Sequence, residues 1–344
     1  MSVQDQLEST IKALVQDGKG ILAADESSPT IAKRFAAIAV ESTEESRRDY
    51  RSLILSTPGL GQYVNGVILF EETLTQTDSQ GTPLPDVASN QGIVPGIKVD
   101  KGKVPLANAP GDEITRGLDG LEARLESYIG RGARFAKWRC VYHVAGHNPG
   151  RLAVEANANV LASYAAVCQS LGVVPIVEPE VLIDGDHSIE RCADVMESVL
   201  HEVFHALHRN RVALEYMLLK PSMVTPGKDH PQQASPEQVA TATLQIFRRT
   251  IPAAVPGINF LSGGQTPEEA TRNLNAINGL KNRPWNLSFS YGRALQEPAL
   301  TAWRGDPGRV QAAQQALLHR ARMNSLAARG QYSDDQEQDT AWEL

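Results

Sequence analysis

Cysteine is scarce. Cys140, Cys168 and Cys192 are the three in 344 residues, widely spaced and with no CxxC pair. That excludes a disulfide framework or a cysteine-based zinc cluster and fits reduced structural thiols. Long apolar runs are also missing: nothing approaches the roughly 18 residues of a membrane span. The opening segment MSVQDQLESTIKALVQDGKG has neither the basic start nor the apolar core of a secretory signal. A cytoplasmic protein is expected, and the formal sequon NLS at 286–288 is then a chance match. There is no surplus of basic residues, since the net charge is −7 and no basic stripe stands out. Nucleic acid is therefore not an expected partner, nor is a membrane. No GxGxxG follows any early apolar run, which removes the usual mark of a dinucleotide-binding sheet.

What the sequence does contain is alternation. Eight β-rich runs (20–25, 63–70, 94–100, 133–139, 172–180, 215–220, 258–263 and 285–293) are separated by segments of helical periodicity. Ser188, Ser235 and Thr266 mark helix starts, with Pro236 and Pro267 at the first helical position. Strands alternating with helices imply a parallel sheet, and eight is the number that closes a barrel. The expected fold is an α/β single-domain TIM (β/α)8 barrel over 19–330, ending in a long helix at 307–329. A doubly wound open sheet is the competitor. Leu7, Ile11, Leu14 and Val15 predict an amphipathic N-terminal helix within 1–18. The acidic stretch 331–344 reads as a mobile polar tail.

In such a barrel the chemistry sits where strands finish, and here they finish on charges. Asp25 ends the first run, Lys98 lies near the end of the third, and Lys137 and Arg139 close the fourth. Glu178 and Glu180 close the fifth, Lys220 the sixth, Ser262 the seventh and Ser290 the eighth. Residues two apart on a strand face one side, so Lys137 and Arg139 project together, as do Glu178 and Glu180. A structural salt-bridge network is the plain alternative. Lys220, at the end of EYMLLK and cut off by Pro221, is the informative residue. A lysine of ordinary pKa, about 10.4, is protonated at neutral pH; partial burial and a neighbouring cation such as Lys137 favour the neutral amine. A neutral amine attacks a ketone and yields an iminium ion, which draws electrons from the adjacent carbons and lets a carbon–carbon bond break. Glutamates beside it supply the acid and base for dehydration.

Two glycine-bearing turns, SGGQ (262–265) and SYGR (290–293), precede helices and place backbone N–H groups where a phosphate can sit. Ser262, Gly263, Gly264, Ser290, Gly292 and Arg293 are the candidates for that site. Across the mouth, Ser27, Arg34, Lys98 and Arg47 are candidates for a second phosphate, with Arg34 and Arg47 equally readable as solvated helix charges.

At these residues the chain resembles class I fructose-bisphosphate aldolase. The likeness runs from about Gly18 to Tyr332 through GKGILAADES, GVILFEETL, GIKVDKG, FAKWRC, VPIVEPE, LLKPSMVTPG, FLSGGQ and FSYGRALQ, in this order. It implies a barrel enzyme without metal or other cofactor, a homotetramer that reversibly cleaves fructose 1,6-bisphosphate to dihydroxyacetone phosphate and glyceraldehyde 3-phosphate. By motif position it implies Lys220 as the Schiff-base lysine and Glu178 as the main acid/base, with Glu180 and Lys137 in support. Asp25 would meet the hydroxyl whose proton leaves, and Arg139 would join Ser27, Arg34 and Lys98 near the far end of the sugar. Two departures stand out. The segment SPT (28–30) replaces the glycine and serine of the animal enzymes, and Pro29 stiffens that turn. The sequence also ends on Leu344 rather than on the tyrosine that assists enamine protonation in those enzymes.

Other readings remain open. HEVFH (201–205) matches the HExxH zinc-protease helix, with His208 following. At about 100° per residue, however, Met196, Val199, Leu200, Val203 and Leu207 form the apolar face and His201, His205 and His208 lie opposite. A sugar-phosphate-binding scaffold without turnover would need the phosphate contacts but not Lys220, Asp25 and both glutamates. A lysine aldolase for another phosphorylated sugar, such as sedoheptulose 1,7-bisphosphate, would use the same residues.

Overall fold

The computed structural model describes residues 2–338. Ten strands occur among them: β1 (Gly20–Ala24), β2 (Val64–Leu69), β3 (Val94–Lys98), β4 (Lys103–Pro105), β5 (Glu113–Thr115), β6 (Phe135–Tyr142), β7 (Val174–Val181), β8 (Leu218–Leu219), β9 (Gly257–Phe260) and β10 (Asn286–Tyr291). Eight of them close a parallel barrel in the order β1-β10-β9-β8-β7-β6-β3-β2. This is the expected TIM barrel, and each predicted run overlaps one barrel strand. The open-sheet alternative falls, because β1 pairs with both β2 and β10.

Local chemistry explains the helix positions. Ser188, Ser235 and Thr266 accept from the backbone N–H three residues on, as side-chain caps do. Pro236 and Pro267 occupy first turns, where a missing N–H leaves no bond unmade. The barrel floor is apolar: Leu7, Ile11 and Leu14 of the N-terminal helix Val3–Leu14 pack with Ile21, Phe135 and Ile176. Space there is tight. A Cβ on Gly96 would fall 2.3 Å from the Phe135 ring, so only glycine fits.

Three features were not anticipated. β4 and β5 form an antiparallel hairpin after β3, with Lys103 opposite Thr115. β8 is only two residues long, because Leu214–Tyr216 forms a 3-10 turn before it and Pro221 follows Lys220. The boundary drawn at 331 for a free tail falls inside packed chain: Tyr332 is buried, and Arg320 Nη1 donates to Glu337 at 2.7 Å. An apolar ring and a pairable carboxylate dock this stretch despite its acidic composition. The rest of that tail, 339–344 with Leu344, lies outside the described residues. No helix among the described residues is long and apolar enough to cross a membrane.

Candidate active site

One cavity of about 1180 Å³ opens at the C-terminal ends of the strands, lined by Asp25, Ser27, Arg34, Lys98, Lys137, Arg139, Glu178, Glu180, Lys220, Ser262, Gly263, Gly264, Ser290, Gly292 and Arg293. The register explains the grouping. Lys98 pairs with Lys137 across β3 and β6, and Arg139 lies opposite Glu178 across β6 and β7. Side chains on alternate residues then converge inside the mouth.

At the centre, Glu178 stands between two ammonium groups. Its Oε1 is 3.0 Å from Lys220 Nζ and its Oε2 3.1 Å from Lys137 Nζ. Lys137 Nζ also lies 2.8 Å from Asp25 Oδ2. Lys137, Glu178 and Lys220 are all buried. Burial works to raise the Glu178 carboxyl, but Lys137, Lys220 and Arg139 outweigh it and hold it below the ordinary value. Asp25 behaves alike: burial is opposed by Lys137, Lys220 and Lys98, and the balance lies well below the usual carboxylate range. For Lys137 burial works downward, yet Asp25, Glu178 and Asp100 carry it well above the ordinary lysine value. Lys137 is therefore a fixed cation at neutral pH, flanked by two ionised carboxylates. Glu178 Oε2 has no hydrogen-bonded partner among the described residues despite its ion pair, so a lone pair is left for a proton in transit. Glu180 is engaged by Arg139 Nε at 2.5 Å.

Anion-binding parts surround this centre. Gly263 and Gly264 have φ of +50° and +88°, the region that favours glycine. Ser290 Oγ is buried without a hydrogen-bonded partner among the described residues, and the helix Arg293–Trp303 begins at Gly292 with no side-chain cap. Its first N–H groups are free for an anion. Arg293 reaches this turn, its Nη2 lying 3.8 Å from where a Cβ on Gly264 would be. Lys98 Nζ is held by the carbonyl and Oδ1 of Asp100, both at 2.7 Å. Ser27 stands at the start of helix Ser28–Ala36 and contacts Thr30 Oγ1 at 3.1 Å, leaving that helix without a side-chain cap as well. Pro29 lies in its first turn, where its fixed φ is helical.

Two placements differ from the sequence reading. Arg47 does not line the cavity. It is turned to the loop after β2, where Nε meets Glu72 Oε2 at 2.8 Å and Nη2 meets Oε1 at 2.5 Å. Its bidentate carboxylate partner makes it a helix-surface ion pair. Arg34 does line the cavity, but its Nη2 is 3.7 Å from where a Cβ on Gly292 would lie. Because β1 neighbours β10, Arg34 borders the Ser290–Arg293 turn rather than facing it across the mouth.

Glu26, Lys33, Asp100, Lys101 and Thr115 also line the cavity and were not singled out from the sequence. Asp100 had a readable signal, since it stands two residues after Lys98. Lys101 and Thr115 belong to the unforeseen hairpin or its approach. His201, His205 and His208 are exposed on helix Ile189–Arg209, opposite its buried face, and aim at no cleft. Burial pushes the thiol of Cys140 up to about 12 and that of Cys192 to about 11, as expected of structural cysteines.

A closed parallel barrel with a buried amine set against a carboxylate at its mouth, ringed by turns suited to anions, defines a lysine-based (β/α)8 enzyme for anionic substrates. Comparison makes that narrower. The sequence model of fructose-bisphosphate aldolase class I matches residues 6–343. A probable fructose-bisphosphate aldolase class 1 of Xanthomonas campestris pv. campestris is 52% identical over 333 residues, covering 96% of this chain and 99% of the relative. The cytosolic fructose-bisphosphate aldolase 4 of Arabidopsis thaliana is 54% identical over 319 residues, covering 92% of this chain and 81% of the relative. A solved fructose-bisphosphate aldolase from Plasmodium falciparum, in complex with TRAP and a small-molecule inhibitor, superimposes with TM-score 0.95 at 50% identity, covering 96% of each chain. The chain belongs to the class I fructose-bisphosphate aldolase family.

Proposed function

We propose that the chain cleaves fructose 1,6-bisphosphate reversibly to dihydroxyacetone phosphate and glyceraldehyde 3-phosphate, a lyase step of glycolysis, through a Schiff base on Lys220. The observation that carries the chemistry is the 3.0 Å approach of Lys220 Nζ to Glu178 Oε1 beside a fixed Lys137 cation. Attack on the substrate ketone needs the amine without its third proton, and Glu178 is the acceptor within reach. The same carboxyl then returns a proton to the carbinolamine hydroxyl, water leaves, and the iminium forms. Asp25, ionised beside Lys137, takes the proton of the hydroxyl on the far carbon of the bond to be broken, and that carbon becomes the aldehyde carbonyl. The C–C electrons flow to the iminium, the aldehyde phosphate departs, and the enamine is protonated and hydrolysed to free the ketone phosphate. Glu180 would hold Arg139 in place near the far end of the sugar and, with Lys137, back the proton transfers. Ser262, Gly263, Gly264, Ser290, Gly292 and Arg293 would hold one phosphate. Arg34, which borders Gly292, would reach that same phosphate, and Ser27 and Lys98 would take part at the other.

Lys220→Ala should lower fructose 1,6-bisphosphate cleavage by at least about four orders of magnitude, in line with loss of a covalent nucleophile. Cleavage by that variant near the parent rate removes the Schiff-base reading. A cytoplasmic site of action and a homotetramer are part of the same proposal. Light scattering should give four times the 37.3 kDa of one chain.

A further inference from the structure

Glu26 is a buried carboxylate that receives donors from three different helices. Arg51, on helix Glu44–Leu55, donates from Nη1 to Glu26 Oε2 at 2.6 Å and from Nη2 to the Glu26 carbonyl at 3.2 Å. Gln296, on helix Arg293–Trp303, donates from Nε2 to Glu26 Oε1 at 2.8 Å and to the Ala23 carbonyl at 2.6 Å. Tyr50 in turn donates to Gln296 Oε1 at 3.1 Å. The third donor is Arg34, whose Nη1 reaches Glu26 Oε1. Arg51 is 2% exposed and Gln296 0%, and neither lines the cavity. Arg34 does line it, with its other terminal nitrogen beside Gly292.

A free carboxylate and a guanidinium pair through two parallel bonds. Here Arg51 takes one oxygen of Glu26 and Gln296 shares the other, so Arg34 is left a single bond through Nη1. Its Nη2 stays turned toward the cavity. Without the two buried donors, Glu26 is free to rotate and chelate Arg34 with both oxygens, withdrawing that nitrogen from the anion site. We infer that Arg51 and Gln296 are positioning residues that act through Glu26 to present Arg34 Nη2 to a phosphate ester of the substrate. This rests on the sugar-bisphosphate reading above. Simple bracing of three helices is the rival role, and it alters stability without favouring phosphate.

The test compares Gln296→Met, which keeps the volume and removes the amide, with Arg34→Met, the double variant, and Arg51→Lys. Each is assayed for fructose 1,6-bisphosphate cleavage and titrated calorimetrically with inorganic phosphate. Gln296→Met should raise KM and weaken phosphate binding about tenfold, the equivalent of one hydrogen bond to a charged group, with kcat within about twofold. In the Arg34→Met background the same change should have almost no further effect on either. Arg51→Lys, which keeps a charged donor, should fall between the parent and Gln296→Met, and it carries the same readouts should Gln296→Met melt below assay temperature. Unchanged KM and phosphate affinity in folded variants, or equal effects with and without Arg34, overturn the inference. If the parent fails to cleave the bisphosphate, the functional reading falls instead, and the phosphate titrations still decide the positioning role.

Discussion

Lys137 is the residue on which the electrostatics of the mouth turn. It lies within 3.1 Å of both Asp25 and Glu178 and holds each below its ordinary pKa against the opposing effect of burial. Lys137→Met removes the stabilising charge and leaves the desolvation, so both carboxyl pKa values rise. The acid limb of the kcat profile should move to higher pH, and kcat at neutrality should fall by about two orders of magnitude. A profile whose acid limb stays put means the Glu178 charge state is set by something other than Lys137. Much of this centre was legible in the sequence, because strand-end position and a spacing of two residues assign side chains to one mouth without coordinates. Arg47 and Glu26 were not legible. Glu26 follows the end of β1 and Arg47 lies on helix Glu44–Leu55, but Arg47 finds its carboxylate at Glu72, on the loop after β2, and Glu26 finds its partners on three helices. Only the packed chain decides such pairings.

Among elements, the helices divide by how they begin. Ser235 caps helix Pro236–Thr250 through its side chain, whereas Gly292 leaves the start of Arg293–Trp303 open toward the cavity. Ser235→Ala should lower stability by about 1 kcal/mol in urea unfolding while leaving KM and kcat unchanged. Gly264→Ala should do the reverse in emphasis. Its φ of +88° suits glycine, and an added Cβ would fall 2.9 Å from Ile183 Cγ2, so the turn must shift and its N–H groups move off the anion. KM for the bisphosphate should rise about tenfold, and a KM equal to the parent's would take that turn out of the phosphate site. Capped starts and all eight strands could be read from residue patterns alone. The β4–β5 hairpin could not, since three-residue strands with exposed Lys103 and Pro105 carry no periodicity to find.

Across the whole molecule, stability should depend on acid in a definite direction. The carboxyls of Asp25 and Glu178 are depressed in the folded chain, and Glu337 is brought down to about 2, where burial is outweighed by His319 and Arg320. A depressed carboxyl adds stability above its unfolded pKa, about 4, and loses it as pH falls through the folded value. Melting temperature should therefore drop steadily from pH 4 toward pH 2, and Glu337→Gln should lower it at pH 7 while flattening the drop. A melting temperature that holds constant to pH 2 contradicts this linkage. At this scale the sequence misjudged one segment: acidic composition marked 331 onward as free, while Asp334 and Glu337 dock it against Arg272 and Arg320.

The most direct measurement is covalent trapping. Incubation with dihydroxyacetone phosphate and borohydride, followed by peptide mass spectrometry, should give a single reduced adduct on Lys220, and none in Lys220→Ala. An adduct on Lys137 or Lys98 instead, or turnover with no lysine ever modified, would mean the buried amine beside Glu178 is not the nucleophile.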